Sequence, residues 1–208
     1  MSSCCEDKAC ALEALRERQG STLKAVLAIN AVMFVVELSA GLVSGSTALL
    51  SDSLDNLGDA LTYGLSIYAL SKGRASKAKV ALFKGGLILL AALFVLGQVG
   101  YRALYGATPL FEAMGVVSVL ALIGNSVCLA LLWKHRTADV NMSSVWECSR
   151  NDIAGNVAVF VASGAVWLTG SRWPDLLVGL LLSVWLLLSS MRVLKSGLGE
   201  LRLAAPAR

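Results

Sequence analysis

Thr47-Ala-Leu-Leu-Ser-Asp52-Ser-Leu-Asp55-Asn-Leu-Gly-Asp59 sets three carboxylates in a run that otherwise holds no charged residue between Glu37 and Lys72. The surrounding sequence is apolar enough to bury that run, and this decides the fold class. Of the 208 residues, 56% are hydrophobic and 15% charged, whereas soluble domains carry about 25% charged residues. The charges cluster at the N-terminus, in Lys72–Lys79, in Lys134–Arg136 and after Met191. A helix crossing the roughly 30 Å hydrocarbon core needs about 20 mostly apolar residues. Six stretches approach that length: Leu23–Val43, Thr47–Leu70, Val80–Leu104, Glu112–Trp133, Ser144–Thr169 and Trp173–Leu194.

The expected fold is therefore all-α, a polytopic membrane protein built as a six-helix bundle. Residues 1–22 form a Cys-containing N-terminal tail, 23–195 the transmembrane domain and 196–208 a short C-terminal tail. The first apolar stretch follows a polar segment and is too long for the core of a signal peptide. Basic residues mark cytoplasmic loops. They gather before the first helix (Arg16, Arg18, Lys24), after the second (Lys72, Arg74, Lys77, Lys79), after the fourth (Lys134, Arg136) and at the C-terminal end. The alternate connections are short and poor in Lys and Arg, so both termini are expected in the cytoplasm, with the chain in a bacterial inner membrane. The net charge of +4 then reflects topology. A nucleic-acid partner is not expected, since no basic helix or aromatic interleaving accompanies the charge.

Ionisable residues at membrane depth cost roughly 2.5–3.5 kcal/mol each on insertion scales, which makes them functional candidates. Asp55 and Asp59 stand four residues apart and stack on one helical face; Cys148 and Asp152 repeat that spacing in the fifth helix. With the two helices antiparallel, Asp59 and Asp152 fall at a similar depth. Asp55, Asp59, Cys148 and Asp152 can then surround one point, three carboxylates and a thiolate suited to a tetrahedral divalent cation such as zinc. The bland alternative is that isolated polar residues hold helices together by hydrogen bonds. Three unpaired carboxylates would be a costly way to do so, and no basic residue lies deep enough to neutralise all of them.

The same residues carry a resemblance. Asn30 to Ser46, with Glu37, Gly41 and Gly45, runs into Ala48-Leu-Leu-Ser-Asp52-Ser-Leu-Asp55-Asn56-Leu-Gly-Asp59. Together they resemble the first two helices of the cation diffusion facilitator family, metal-ion/proton antiporters that export zinc, cadmium, cobalt, iron or manganese. The family's second-helix pair falls on Asp55 and Asp59, and its His-x-x-x-Asp pair on Cys148 and Asp152. Trp173-Pro174-Asp175 resembles the start of its sixth helix. The resemblance implies metal efflux by proton exchange and a homodimer. Metal would displace protons from Asp59, Asp152 and the Cys148 thiol, and protons would later displace metal, since ligands bind deprotonated.

Two departures stand out. Cys148 replaces the usual His, a softer donor that favours zinc, cadmium, mercury or cuprous copper over manganese or magnesium; the alternative is a small buried filler. The chain also ends soon after the sixth helix, so the family's cytoplasmic C-terminal domain is expected to be missing. The expected cargo is zinc or cadmium, with cobalt, mercury and copper open, and no permanent cofactor.

The remaining candidates are weaker. Cys4, Cys5 and Cys10 either capture a soft ion transiently or belong to a disordered tail. Cys128 is read as packing, Glu37 as hydrogen-bonded within the bundle, and Asp52 as lining an outer vestibule. Asn56, Asn151 and Asn156 either orient the carboxylates or bond between helices. Lys84 and Arg150 snorkel or pair with nearby acids, Glu147 sits at the cytoplasmic mouth, and His135 is a solvated loop residue. Gly85-Gly86 and Gly97-x-x-Gly100 are expected to let helices approach closely. A metal-binding sensor or partner subunit of an exporter is the alternative to a carrier. An intramembrane aspartyl protease, the enzyme reading, is disfavoured because Asn56-Leu-Gly-Asp59 lacks the first glycine of the Gly-x-Gly-Asp pattern.

Overall fold

The computed structural model describes the backbone of residues 3–69, 74–133 and 140–204, with side chains chiefly in 21–64, 79–133 and 152–202. All regular elements in these residues are α-helices: α1 (Ser3–Ser44), α2 (Thr47–Ala69), α3 (Arg74–Tyr105), α4 (Phe111–Trp133), α5 (Val140–Thr169) and α6 (Trp173–Ala204). Four helices begin before the apolar stretches read from sequence. The backbone from Ser3 continues into α1 as one helix, where a disordered tail was one of the expectations. The side chains of Cys4, Cys5 and Cys10 lie outside the described residues, as does His135.

Among the described residues, five helices contain a segment long and apolar enough to cross a bilayer: Lys24–Ser44, Leu82–Tyr105, Phe111–Trp133, Asp152–Thr169 and Trp173–Gly199. The sixth expected span, α2, is not among them, because its apolar run is broken by Asp52, Asp55 and Asp59. Position explains how it tolerates them. α2 packs against α1, α3, α5 and α6, and none of its described side chains is exposed. Around it the usual pattern is inverted. Asn30, Glu37, Ser51, Asp52, Asn56, Asn125, Asp152, Asn156 and Ser183 are buried, while Val32, Val43, Phe94, Leu120, Ile123 and Val161 face outward. Such a surface suits hydrocarbon, which solvates leucine and valine but no unpaired polar group. Tyr101, Tyr105, Trp167 and Trp173 are exposed near the helix ends, as in an interfacial aromatic belt.

The short connections at one end are bonded to each other. Gly45 turns α1 into α2 with φ +76°, a left-handed conformation that a Cβ disfavours. Ser46 caps α2, its Oγ accepting the Leu49 N–H at 3.0 Å. Asp175, the third residue of α6 and itself buried, reaches across to the same helix end. Its carboxylate accepts from Ser46 Oγ at 2.5 Å, from the Thr47 N–H and hydroxyl at 2.8 Å each, and from the Ala48 N–H at 3.1 Å. A carboxylate there meets the positive end of the helix dipole as well as the orphan N–H groups. Arg172 closes the neighbouring corner by donating to the carbonyls of Gly106 and Ala103 at the end of α3, and the Leu110 N–H bonds the Ser44 carbonyl at 3.0 Å. Below this corner, Ser51 sits 2.8 Å from the Ser183 hydroxyl and 2.9 Å from the Gly179 carbonyl.

Close approach of α6 to α2 depends on Gly179, where a Cβ would fall 2.8 Å from the Thr47 carbonyl carbon. Of the glycines expected to allow packing, Gly85 does so against Leu194, but Gly86, Gly97 and Gly100 face nothing within 4 Å. Their spacing matched a contact face, and the rotation of α3 turns them away from its neighbours.

Asp175→Ala is expected to lower unfolding free energy by about 2–4 kcal/mol, as it removes a cap and several charge-assisted bonds together. Gly179→Ala should cost about 1–3 kcal/mol by overpacking against backbone. Thermal unfolding of the purified protein in detergent measures both.

Candidate metal centre

The i,i+4 pair of α2 does what its spacing predicts. Asp55 and Asp59 share one helical face, and Asp152 of α5 is their neighbour, with the three carboxyls within electrostatic range of one another. Two ionised carboxylates offer no donor between them. Carboxylates so close favour a shared proton or a cation between them. Asp59 is further oriented by Tyr63, one turn along α2, whose hydroxyl donates to Asp59 Oδ2 at 2.9 Å.

Cys148 lies in α5 four residues before Asp152, but its side chain is outside the described residues, as are those of Glu147, Arg150 and Asn151. Among the described residues no group of three or more His, Cys, Asp or Glu side chains is gathered tightly enough to hold an ion. Asp55, Asp59 and Asp152 are neighbours, short of a closed coordination shell.

Asp52 does not open on a vestibule. It is 3% exposed and packs against α5, where a Cβ on Gly155 would stand 3.2 Å from its Oδ1. Glu37 of α1, fully buried, accepts from Asn56 Nδ2 at 2.9 Å. Asn56 thus joins α1 to α2 and does not orient the Asp55 or Asp59 carboxylate. Asn156 donates to the main-chain carbonyl of Asp152 at 2.7 Å, steadying the helix and not the carboxylate. Several acceptors stay without a hydrogen-bond partner: Glu37 Oε1, Asp52 Oδ2, Asn56 Oδ1, Asp152 Oδ2 and Asn156 Oδ1. An acceptor-rich, donor-poor interior of this kind favours cations and protons.

Two residues given minor roles from sequence stand beside the carboxylates. Cys128 of α4 is a free, fully buried thiol. It receives a weak hydrogen bond from Asn30 Nδ2 at 3.9 Å, shares an apolar cluster with Tyr63 and lies in the field of Asp152 and Asp59. Its membership of a buried stripe was readable from the three- and four-residue steps Met114, Ser118, Ala121, Asn125, Cys128, Leu132; what that stripe faces was not. Lys84 of α3 is half-buried and within electrostatic range of Asp55 and Asp59.

Comparison with known proteins identifies the family. Residues 23–202 match the cation efflux transmembrane domain family. The metal cation efflux system protein CzcD of Cupriavidus metallidurans is 28% identical over 199 residues, covering 89% of this chain and 62% of that protein. The zinc transporter ZitB of Yersinia pestis is 24% identical over 204 residues, covering 92% and 65%. The cadmium, cobalt and zinc/H(+)-K(+) antiporter of Bacillus subtilis is 22% identical over 204 residues, covering 88% and 65%. The chain spans less than two thirds of the length of these relatives.

Tyr63→Phe is expected to weaken zinc binding about tenfold while leaving the helical fold intact, the usual effect of removing a partner that orients a ligand. Calorimetric titration alongside far-UV circular dichroism reads both.

Proposed function

The chain belongs to the cation diffusion facilitator family, and from that premise we propose that it carries a divalent metal ion of the zinc and cadmium type out of the cytoplasm, in exchange for protons. The observation that carries this reading is the closeness of Asp55 and Asp152. Two acids from two helices come together inside a bundle whose outer face is apolar, and their proximity favours a proton or a cation between them. A site that alternates between those two occupants is the chemical core of metal–proton exchange, because metal ligands must be deprotonated.

In this reading Asp55 and Asp59 supply oxygens from α2, Asp152 an oxygen and Cys148 a thiolate from α5, all from one chain. The thiolate tilts preference toward softer ions. Tyr63 orients Asp59. Relative movement of α2 and α5 exposes the site to either side in turn, with both termini cytoplasmic in a bacterial inner membrane. The names of the relatives, which speak of metal cation efflux, zinc and cadmium, support the same class of cargo. The chemistry is carriage, with no covalent step.

Zinc uptake into liposomes containing the purified protein tests the proposal. Asp55→Ala, Asp59→Ala and Asp152→Ala are each expected to reduce uptake to the protein-free background, and collapse of an imposed proton gradient to slow it. Cys148→His should keep uptake and shift preference from cadmium toward zinc and cobalt. Binding without uptake by the wild type would indicate a metal-binding sensor or subunit, and uptake indifferent to Asp59 and Asp152 would overturn the site.

A further inference from the structure

α3 presents a regular stripe to the interior: Ile88, Ala92, Val95 and Val99 are buried and pack with Leu50 and Leu54 of α2 and with Leu176 and Leu186 of α6. Lys84 stands one turn before Ile88 on the same stripe, where the pattern would call for another apolar residue. The opposing position on α2 is Gly58, and a Cβ there would touch Ile88 Cδ1 at 3.4 Å. That is ordinary contact distance, so Ile88 of α3 packs on α2 at the level between Asp55 and Asp59. The Lys84 ammonium, on a flexible four-carbon stem, falls within the field of both carboxylates. Among the described residues Lys24, Lys79, Arg192, Lys195 and Arg202 are exposed, whereas Lys84 is half-buried.

From this arrangement we infer that Lys84 is a tethered counter-cation of the metal centre, pairing with Asp55 and Asp59 when no metal is bound and displaced when a divalent ion takes those carboxylates. This rests on the metal-carrier reading above and adds how the site is regulated. Alone at membrane depth, an ammonium and a carboxylate are each unfavourable; together they relieve that cost. The empty centre therefore keeps a cation without an ion from outside, which lets the unloaded carrier change conformation. The same positive charge repels the incoming metal. Lys84 lowers affinity and hastens release, so that binding does not become a trap.

The test compares wild type, Lys84→Gln, Lys84→Met and Lys84→Arg, with Asp59→Asn as reference, by calorimetric titration with zinc chloride and by zinc uptake into liposomes. Either neutral variant is expected to bind zinc at least tenfold more tightly than wild type. At saturating zinc its uptake is several-fold slower, and its half-saturating concentration falls. Lys84→Arg, which keeps the charge, stays near wild type. A merely structural lysine would weaken binding and transport together and would not give this split. Should wild type bind zinc and Asp59→Asn abolish that binding, while neutral variants bind no more tightly than wild type, the counter-cation falls and the carrier site stands. Indifference of zinc binding to Asp59→Asn removes both. Should one neutral variant fail to fold, the other supplies the comparison, and equal affinity of Lys84→Arg and a folded neutral variant overturns the inference.

Discussion

Carboxylates in a low-dielectric interior must be neutralised or bonded, and the bundle is arranged around that requirement. α2 brings Asp52, Asp55 and Asp59 into its centre, and each helix packed on it answers one of them or a neighbour. α1 supplies Glu37, tied to Asn56, α5 supplies Asp152 against Asp55, and α3 brings Lys84 toward Asp55 and Asp59. The answers are incomplete. Among the described residues more acids converge than cations, and several buried oxygens keep no hydrogen-bond partner. An interior built for stability alone would be expected to satisfy them; one built to accept and release a cation needs them unsatisfied in part.

The N-terminal end of α2 is fixed by bonds from two helices. It is held by its own Ser46 and by Asp175 from α6, and the neighbouring connections are bonded through Arg172 and Leu110. The same loops that are poor in Lys and Arg therefore form a joined corner, with Gly179 letting α6 come close to Thr47. The acidic residues begin one turn below that corner, at Asp52, and step along α2 by three and four residues to Asp59. Packing at the corner and chemistry at the centre are thus carried by successive turns of one helix, so a shift of α2 against α6 would alter both.

Much of this was legible in the sequence for simple reasons. Apolar lengths near twenty residues announce membrane helices because bilayer thickness is a fixed constraint. Asp55 with Asp59, and Cys148 with Asp152, announce shared faces because helical periodicity brings i and i+4 together. Within a single helix, spacing is geometry. The same logic misread Gly97 and Gly100, which have the spacing of a contact face but meet no neighbour within 4 Å. It also left open whether Asn56 and Asn156 serve the carboxylates or the helices.

Those ambiguities share a physical cause: spacing defines a face but not the partner it meets. By itself, the sequence determined the all-helical membrane class, the family, and the acidic faces of α2 and α5. Only the tertiary structure decided that Asp152 neighbours Asp55, that Asn56 bonds Glu37, and that Cys128 and Lys84 lie within range of the acids. Such contacts depend on the rotation of each helix about its axis and on which helices become neighbours. Both are settled by packing across tens of residues of intervening chain, on which local periodicity is silent.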